Sequence, residues 1–465
     1  MAEKWLFLVL SLGCAAAPRP RPRQEKLELL LVEVLRFPTV AGNDQARRDQ
    51  QAWLLRTAAS FGFEARDAGL VTEIELPGPP GAPVLGLVVH GDVQPVEEKA
   101  WSVPPFGGVV RDGEIFGRGA ADDKGPLVQA LLAMDAIRDL PRTHTVRLLV
   151  GSDEESGSSD LKEYLKSHEP PAYSLVLDSE FPAVVGEKAW DGLSVSAPEE
   201  PGIILKAGLA PSIVPDDARA TIRWSDELEK RLRAKPLDPG TRLELTRRGD
   251  DLDVIVHGRS AHAGVNLAGG RNALVSLAHV LAGELPAGGA ADLLAFAAHA
   301  PTLQLPGDPA WRGWAINIAT LTQKDGKYTL VINLRRPPPL TAAQSRDLLF
   351  AEVRKSSPRL QPGEFFFGDE PLVFDPKAKL VRRLMDDYAR ATGEPAPPAI
   401  SGGGTYAKRL PRSIAYGMWF PGKPYPGHDV DEHISLADLR RGLDVLVVTL
   451  RDLACGPPIQ EPFKP

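Results

Sequence analysis

Three apolar runs of strand length each stop at side chains suited to holding cations. "PVLGLVVHGD" ends in His90 and Asp92, "HTVRLLVGSDEESG" in Asp153, Glu154 and Glu155, and "YSLVLDSEFP" in Asp178 and Glu180. Between the first two, Leu127, Leu131, Met134 and Ile137 recur at helical spacing. Between the last two, "SSDLKEYLKSH" opens on serines suited to capping and reads as a short helix. Strands alternating with helices imply an α/β fold with a mixed, largely parallel sheet covered by helices. Ligands of such sheets bind outside the carboxyl ends of the strands. Three strand ends carrying His and carboxylate can therefore converge on one site. Unneutralised, so many carboxylates would repel one another, and a divalent metal is the simplest neutraliser.

A glycine-rich turn, "GEIFGRGAADDKGP", adds Asp122 and Asp123 just before the first helix. As a nucleotide loop it lacks the third glycine of a dinucleotide fingerprint and any "GK[ST]", and "SGGGTYAKR" at 401–409 fails the same test. A net charge of -7 leaves no basic footprint, so nucleic acid is not an expected partner. At 465 residues the chain is long for one core, which favours two domains.

The N-terminus, "MAEKWLFLVLSLGCAAAPRPRPRQEK", has the layout of a signal peptide: an early Lys, an apolar run, small residues and a Pro/Arg linker. The run is short for a membrane span, and the alternating prolines could not continue a helix. Export, periplasmic or secreted, is the expectation; an ordinary N-terminal helix in a cytoplasmic protein is the alternative. Cys14 sits where a lipid anchor could attach, although "SLGC" lacks the usual Leu three places earlier. The one other cysteine, Cys455, leaves no disulfide framework.

"HGDVQPV", "GRGAADDKG", "GSDEESGS", "LDSEFP" and "PGHDVDEH" occur in the order and approximate spacing of the co-catalytic zinc peptidases. The chain resembles that superfamily, which includes aminoacylase, acetylornithine deacetylase and carnosinase. Through "DDKGP", "LDSEFP" and "GGGTYAKRLPRSIAYGMWFPG" it looks most like the peptidase-V-type dipeptidases. The resemblance implies two divalent ions, with His90 on one, Asp122 bridging both and Asp178 completing the first set. Glu155 and His428 would hold the second ion, while Asp92 would orient His90 from behind. Imidazole with carboxylate suits zinc, and manganese and cobalt also fit these donors. Glu154 takes the general-base position, moving a proton from a metal-bridging water to the leaving amine. A cis peptide at Asp122–Asp123 is implied as well. By the same register His433 is a neighbour that packs or hydrogen-bonds, not a ligand.

From residue 191 to 374 the pattern changes. "DLDVIVHG" alternates, "AINIATLTQKDGKYTLVINLRR" reads as two strands about an Asp-Gly turn, and helical segments follow "GGRNALVSLAHVLAGEL" and "TAAQSRDLLFAEVRKSS". "LPAGGAADLLAFAAHAP" looks like compositional bias. The expected organisation is a signal and linker at 1–24, a catalytic domain at 25–190 and 375–465, and an inserted α+β lid at 191–374. An enlarged lid resembles that of monomeric relatives. Within it, His262 matches a histidine that steadies the oxyanion, and Arg335 one that grips the substrate carboxylate. Gly403, Gly404 and Thr405 resemble a loop that receives the substrate's C-terminal end. At Ser212 the resemblance breaks, since dipeptidase relatives usually have Asn there. His144, His168, His279 and His299 belong to no motif and read as structural.

The expected function is a metallopeptidase of short peptides, a dipeptidase. One alternative is an N-acyl amino acid deacylase or carboxypeptidase with the same metals. A second, of another class, is a catalytically silent binding protein.

Overall fold

The three runs become neighbouring strands of one six-stranded sheet. A computed structural model describes residues 23–367 and 369–459, so the N-terminal apolar run and Cys14 lie outside the described residues. Strand Val84–His90 lies between Thr145–Gly151 and Tyr173–Val176, parallel to both. Ser413–Ala415 extends the parallel part, while Glu64–Ala68 and Val71–Leu76 add two antiparallel strands at the other edge. This is the mixed, largely parallel sheet expected from the sequence.

Successive side chains of a strand point to opposite faces, and the core follows that rule. Leu85, Leu87 and Val89 join the larger core, whereas Val88 joins a smaller one with Leu149, Val176 and Tyr406. Helix Lys124–Ile137 fills the larger side. Its Leu127, Leu131, Met134 and Ile137 are fully buried, and so are most residues of its other faces. It packs against the helices Leu436–Cys455 and Arg23–Leu35 as well as the sheet. A side chain of this size contributes about 1.5–3 kcal/mol on burial, so the helix is pinned from several sides.

The inserted lid is an eight-stranded antiparallel sheet running from Ala189 to Phe367. Strands Ala315–Lys324 and Lys327–Arg336 form the expected hairpin, with Asp325 and Gly326 both at positive φ, as a tight hairpin turn requires. Helices Ala273–Leu281 and Gly289–His299 cover its inner face. The second helix is the alanine-rich stretch read as compositional bias. Its small residues let it lie close to the sheet: a Cβ on Gly289 would come within 2.2 Å of the Pro198 carbonyl oxygen. After the lid, Leu372–Val373 pairs with Val184–Glu187 of the first segment.

Candidate active site and metal centre

Sheet register brings the strand ends together. His90 pairs with Gly151, which places it beside the loop of Asp153, Glu154 and Glu155. Its Nε2 lies 2.9 Å from Asp122 Oδ1 and 3.9 Å from Asp178 Oδ2. Opposite, His428 Nε2 lies 3.2 Å from Asp122 Oδ2 and 3.0 Å from Glu155 Oε1. Asp122 therefore turns one carboxylate oxygen to each histidine, as a bridging ligand must. Donors in one tetrahedral zinc shell stand roughly 3.3–3.6 Å apart for bonds of about 2.0–2.2 Å. The observed separations bracket that spacing.

The charges also call for cations. Burial pushes the Glu154 carboxyl up to about 8, with Glu155, Asp92 and Asp122 adding to the rise and His90 opposing it. Burial likewise raises Asp178 and Asp123 well above the carboxylate range, Asp178 with help from Asp123 and Asp123 with help from Asp122. Burial alone would lower His428, but Glu155 and Asp122 outweigh it and hold the imidazole up at about 10. Divalent cations between these groups would reverse each sign, keeping the carboxylates ionised and the imidazoles neutral. The donor set fits two such ions. His428 itself sits in left-handed backbone, φ 66°, a conformation uncommon outside glycine.

A layer behind these donors sets their orientation. His90 Nδ1 is 3.0 Å from the Asp92 backbone carbonyl and 3.5 Å from its carboxylate. That carboxylate accepts instead from the amides of Glu154 (3.2 Å) and Glu155 (3.0 Å). Asp92 thus orients the acidic loop as much as His90, because an ionised carboxylate takes the amides that point at it. The peptide Asp122–Asp123 is cis. Asp123 accepts the His90 amide at 3.1 Å through one oxygen, and its other oxygen is buried with no partner among the described residues. Glu432 is fully buried, forms an ion pair with Arg118 at 2.7 Å and accepts the amides of Gly119, Ala121 and Asp122. Asp123 and Glu432 lay inside motifs, but nothing in their spacing told them from surface acids.

The lid contributes further residues to the site. The His262 ring stacks on His428 with centroids 4.2 Å apart, and its Nδ1 accepts the amides of Gly264 (2.9 Å) and Val265 (3.2 Å). Burial, together with the neighbouring His428 and Arg335, holds the imidazole well below its usual range. A neutral ring whose Nδ1 accepts must carry its proton on Nε2. Arg335 is buried with its guanidinium over Trp190, 4.7 Å from the ring centre. Burial lowers it to about 10. It stands behind Gly264, where an added Cβ would come within 3.1 Å of Arg335 Nε, and it is not itself among the residues lining the cavity. Neighbouring Arg336 instead forms a fully buried ion pair with Asp191 at 2.8 Å.

A cavity of about 390 Å³ joins these parts. Asp122, Glu154, Glu155 and Asp178 form one end, while His262 and the loop Ser401–Thr405 line it further along. Gly403 and Gly404 face this space; Thr405 does too, but its hydroxyl is 2.8 Å from Glu187 and its amide 3.2 Å, so both donors are already used. Lys188, Trp311 and Arg312 also line it, from segments without a motif. His433 lies apart, its ring 5.0 Å from Phe116 and its Nδ1 2.8 Å from the Asp431 carbonyl.

The profile of Peptidase family M20/M25/M40 matches residues 86–452. The chain belongs to this family. It is a hydrolase acting on peptide bonds, and the M20 family generally binds divalent metals. Among relatives, it is 29% identical over 395 residues to YtjP of Bacillus subtilis (strain 168), named provisionally as a dipeptidase, covering 80% of this chain and 84% of that one. A Staphylococcus epidermidis protein named in the same way is 28% identical over 388 residues, covering 77% and 80%. The M20 fold is shared with human carnosine dipeptidase 1 (TM-score 0.59, 14% identity, 92% of this chain and 95% of that one). It is shared too with the di-peptidase Dug1p of Saccharomyces cerevisiae (0.60, 13%, 92% and 95%). Among the described residues no helix is long and apolar enough to cross a membrane.

Proposed function

We propose that this M20 peptidase is a dipeptidase with two zinc ions. Residues 25–190 and 375–465 form its catalytic domain, and 191–374 its lid. The observation that carries the reading is Asp122, whose two oxygens face His90 and His428 separately at 2.9 and 3.2 Å. His90, Asp122, Asp178, Glu155 and His428 would hold two divalent ions, which would supply a lowered water pKa and polarisation of the scissile carbonyl.

The chain's own groups do the rest. Glu154 takes the proton of the attacking water and hands it to the leaving amine. His262 donates Nε2–H to the carbonyl oxygen as it gains charge, a role worth about 10²–10³ in rate. The backbone at Gly403 and Gly404 receives the C-terminal end of the substrate, and the Arg335 guanidinium supplies its counter-charge from behind Gly264. A cavity of about 390 Å³ lined by both the strand ends and the lid favours short peptides over folded proteins. The names of the similar proteins point the same way.

The test is a panel of dipeptides, tripeptides and N-acyl amino acids, assayed with zinc, manganese and cobalt. Dipeptides should be the best substrates, and Glu154→Gln should lose about 10²–10⁴ in kcat while retaining its metal. Cleavage of N-acyl amino acids alone would sink the dipeptidase reading.

A further inference from the structure

Besides the His262 stack on His428, the lid meets the donor layer at a buried serine. Ser212 lies in the lid loop between strands Ile204–Ala207 and Asp217–Arg223 and is 4% exposed. Asn317 of the lid sheet donates to the carbonyls of Pro211 (3.2 Å) and Ile213 (2.9 Å), which fixes the backbone on either side. From that braced position the Ser212 carbonyl lies 3.3 Å from His428 Nδ1. Its hydroxyl accepts from Gln94 Nε2 at 2.8 Å, and the same nitrogen donates to Glu155 Oε2 at 2.9 Å.

An amide nitrogen carries two protons, and here one serves the lid and the other Glu155, through its carboxylate and, at 3.3 Å, its backbone carbonyl. A histidine that donates Nδ1–H to a carbonyl presents its Nε2 lone pair to an ion. Ser212 therefore braces both Glu155 and His428, the residues that share one ion with Asp122. Gln94 is 3% exposed, and neither it nor Ser212 is among the residues lining the cavity. Their contacts serve ligands, not substrate. Gln94 reaches the serine hydroxyl with a side-chain amide from the opposite domain.

We propose that Gln94 and Ser212 are positioning residues that couple seating of the lid to the ion site of Asp122, Glu155 and His428. The inference rests on the two-metal reading above. Coupling of this kind is reciprocal: an ion in that site holds the lid down, and an unseated lid loosens that ion.

The test uses Gln94→Met, which keeps bulk and loses both donors, Ser212→Ala, which keeps the carbonyl, and the double variant. Metal-free full-length protein is titrated with Zn²⁺ against a chromophoric chelator, and hydrogen exchange of residues 209–216 is followed with and without Mn²⁺. Gln94→Met should weaken one of two binding classes by about 10–100-fold and leave the other unchanged. Ser212→Ala should weaken the same class, and the double variant should lose less than the two single losses combined. Mn²⁺ should slow exchange of the loop in wild type and not in Gln94→Met. Unchanged affinities, or equal loss from both classes, would overturn the proposal. If Gln94→Met does not fold, Ser212→Ala decides by the same criterion. A wild type that takes up fewer than two ions overturns the two-metal reading itself, a result distinct from failure of the coupling alone.

Discussion

Glu432 ties the turn that carries Asp122 to the loop that carries His428, and replacing it tests how the centre is held. One oxygen takes Arg118 Nη1 at 2.7 Å; the other takes the amides of Gly119 (3.1 Å), Ala121 (2.9 Å) and Asp122 (3.1 Å). Glu432→Ala strands a guanidinium that is 3% exposed, together with three amides. Stripping one partner from a buried ion pair costs about 3–5 kcal/mol. That is a large share of a typical folding stability of about 5–15 kcal/mol. Glu432→Gln keeps an acceptor for the amides and forfeits mainly the charge-assisted bond, about 1.5–3 kcal/mol. Scanning calorimetry of metal-free protein should rank Tm as wild type, then Gln, then Ala. The Ala variant should also bind zinc about 10–100-fold more weakly, because the Asp122 amide has lost its anchor. An Ala variant that melts and binds like wild type would refute the clamp. Equal losses for Gln and Ala would refute the share given to the amides.

His428→Ala should lose an ion and nearly all activity, whereas His433→Ala should keep most of both; metal analysis with a dipeptide assay reads the difference. His262→Ala should retain both ions yet lose about 10²–10³ in kcat, measured by steady-state kinetics. Burial, reinforced by Asp452, lifts the Asp387 carboxyl from 3.8 to about 7, against Arg390 and Arg383. With its folded pKa raised, this acid binds more protons folded than unfolded between about pH 4 and 7, so its contribution to stability falls as pH rises through that window. Asp387→Asn should match wild type near pH 4 and exceed its Tm above pH 7; a variant less stable than wild type at high pH would contradict this.

The parts of the site legible in the sequence share one property: each is announced locally. An apolar run ending in His90 or Asp178 specifies both a strand and what stands at its end, and parallel register does the rest. The Asp325–Gly326 hairpin is legible for the same reason. What escapes the sequence is long-range. Gln94 meets Ser212 across 118 positions and Arg118 meets Glu432 across 314, with no periodicity linking either pair. Trp311 and Arg312 reach the cavity from a lid segment whose composition signals only a turn. Asp92 was legible as a partner of His90, yet its carboxylate serves the amides of Glu154 and Glu155, a detail of loop conformation that spacing does not encode. The helix Gly289–His299 escaped because its alanines and glycines, chosen for close approach to the lid sheet, resemble bias when seen alone.

The bond from the Asp122 amide to Glu432 closes a loop of 310 residues, and the whole lid lies inside it. During synthesis the lid emerges and can collapse on its own core while the strand ends that bear His90, Asp122, Glu155 and Asp178 still lack their last partners. Only when residues 428–432 have left the ribosome can His428 join the donor cluster and the Asp122 amide gain its clamp. Because closure entropy grows only logarithmically with loop length, that late step costs little more than it would across a far shorter insertion. The donor cluster is therefore completed late in synthesis, after the whole lid has emerged.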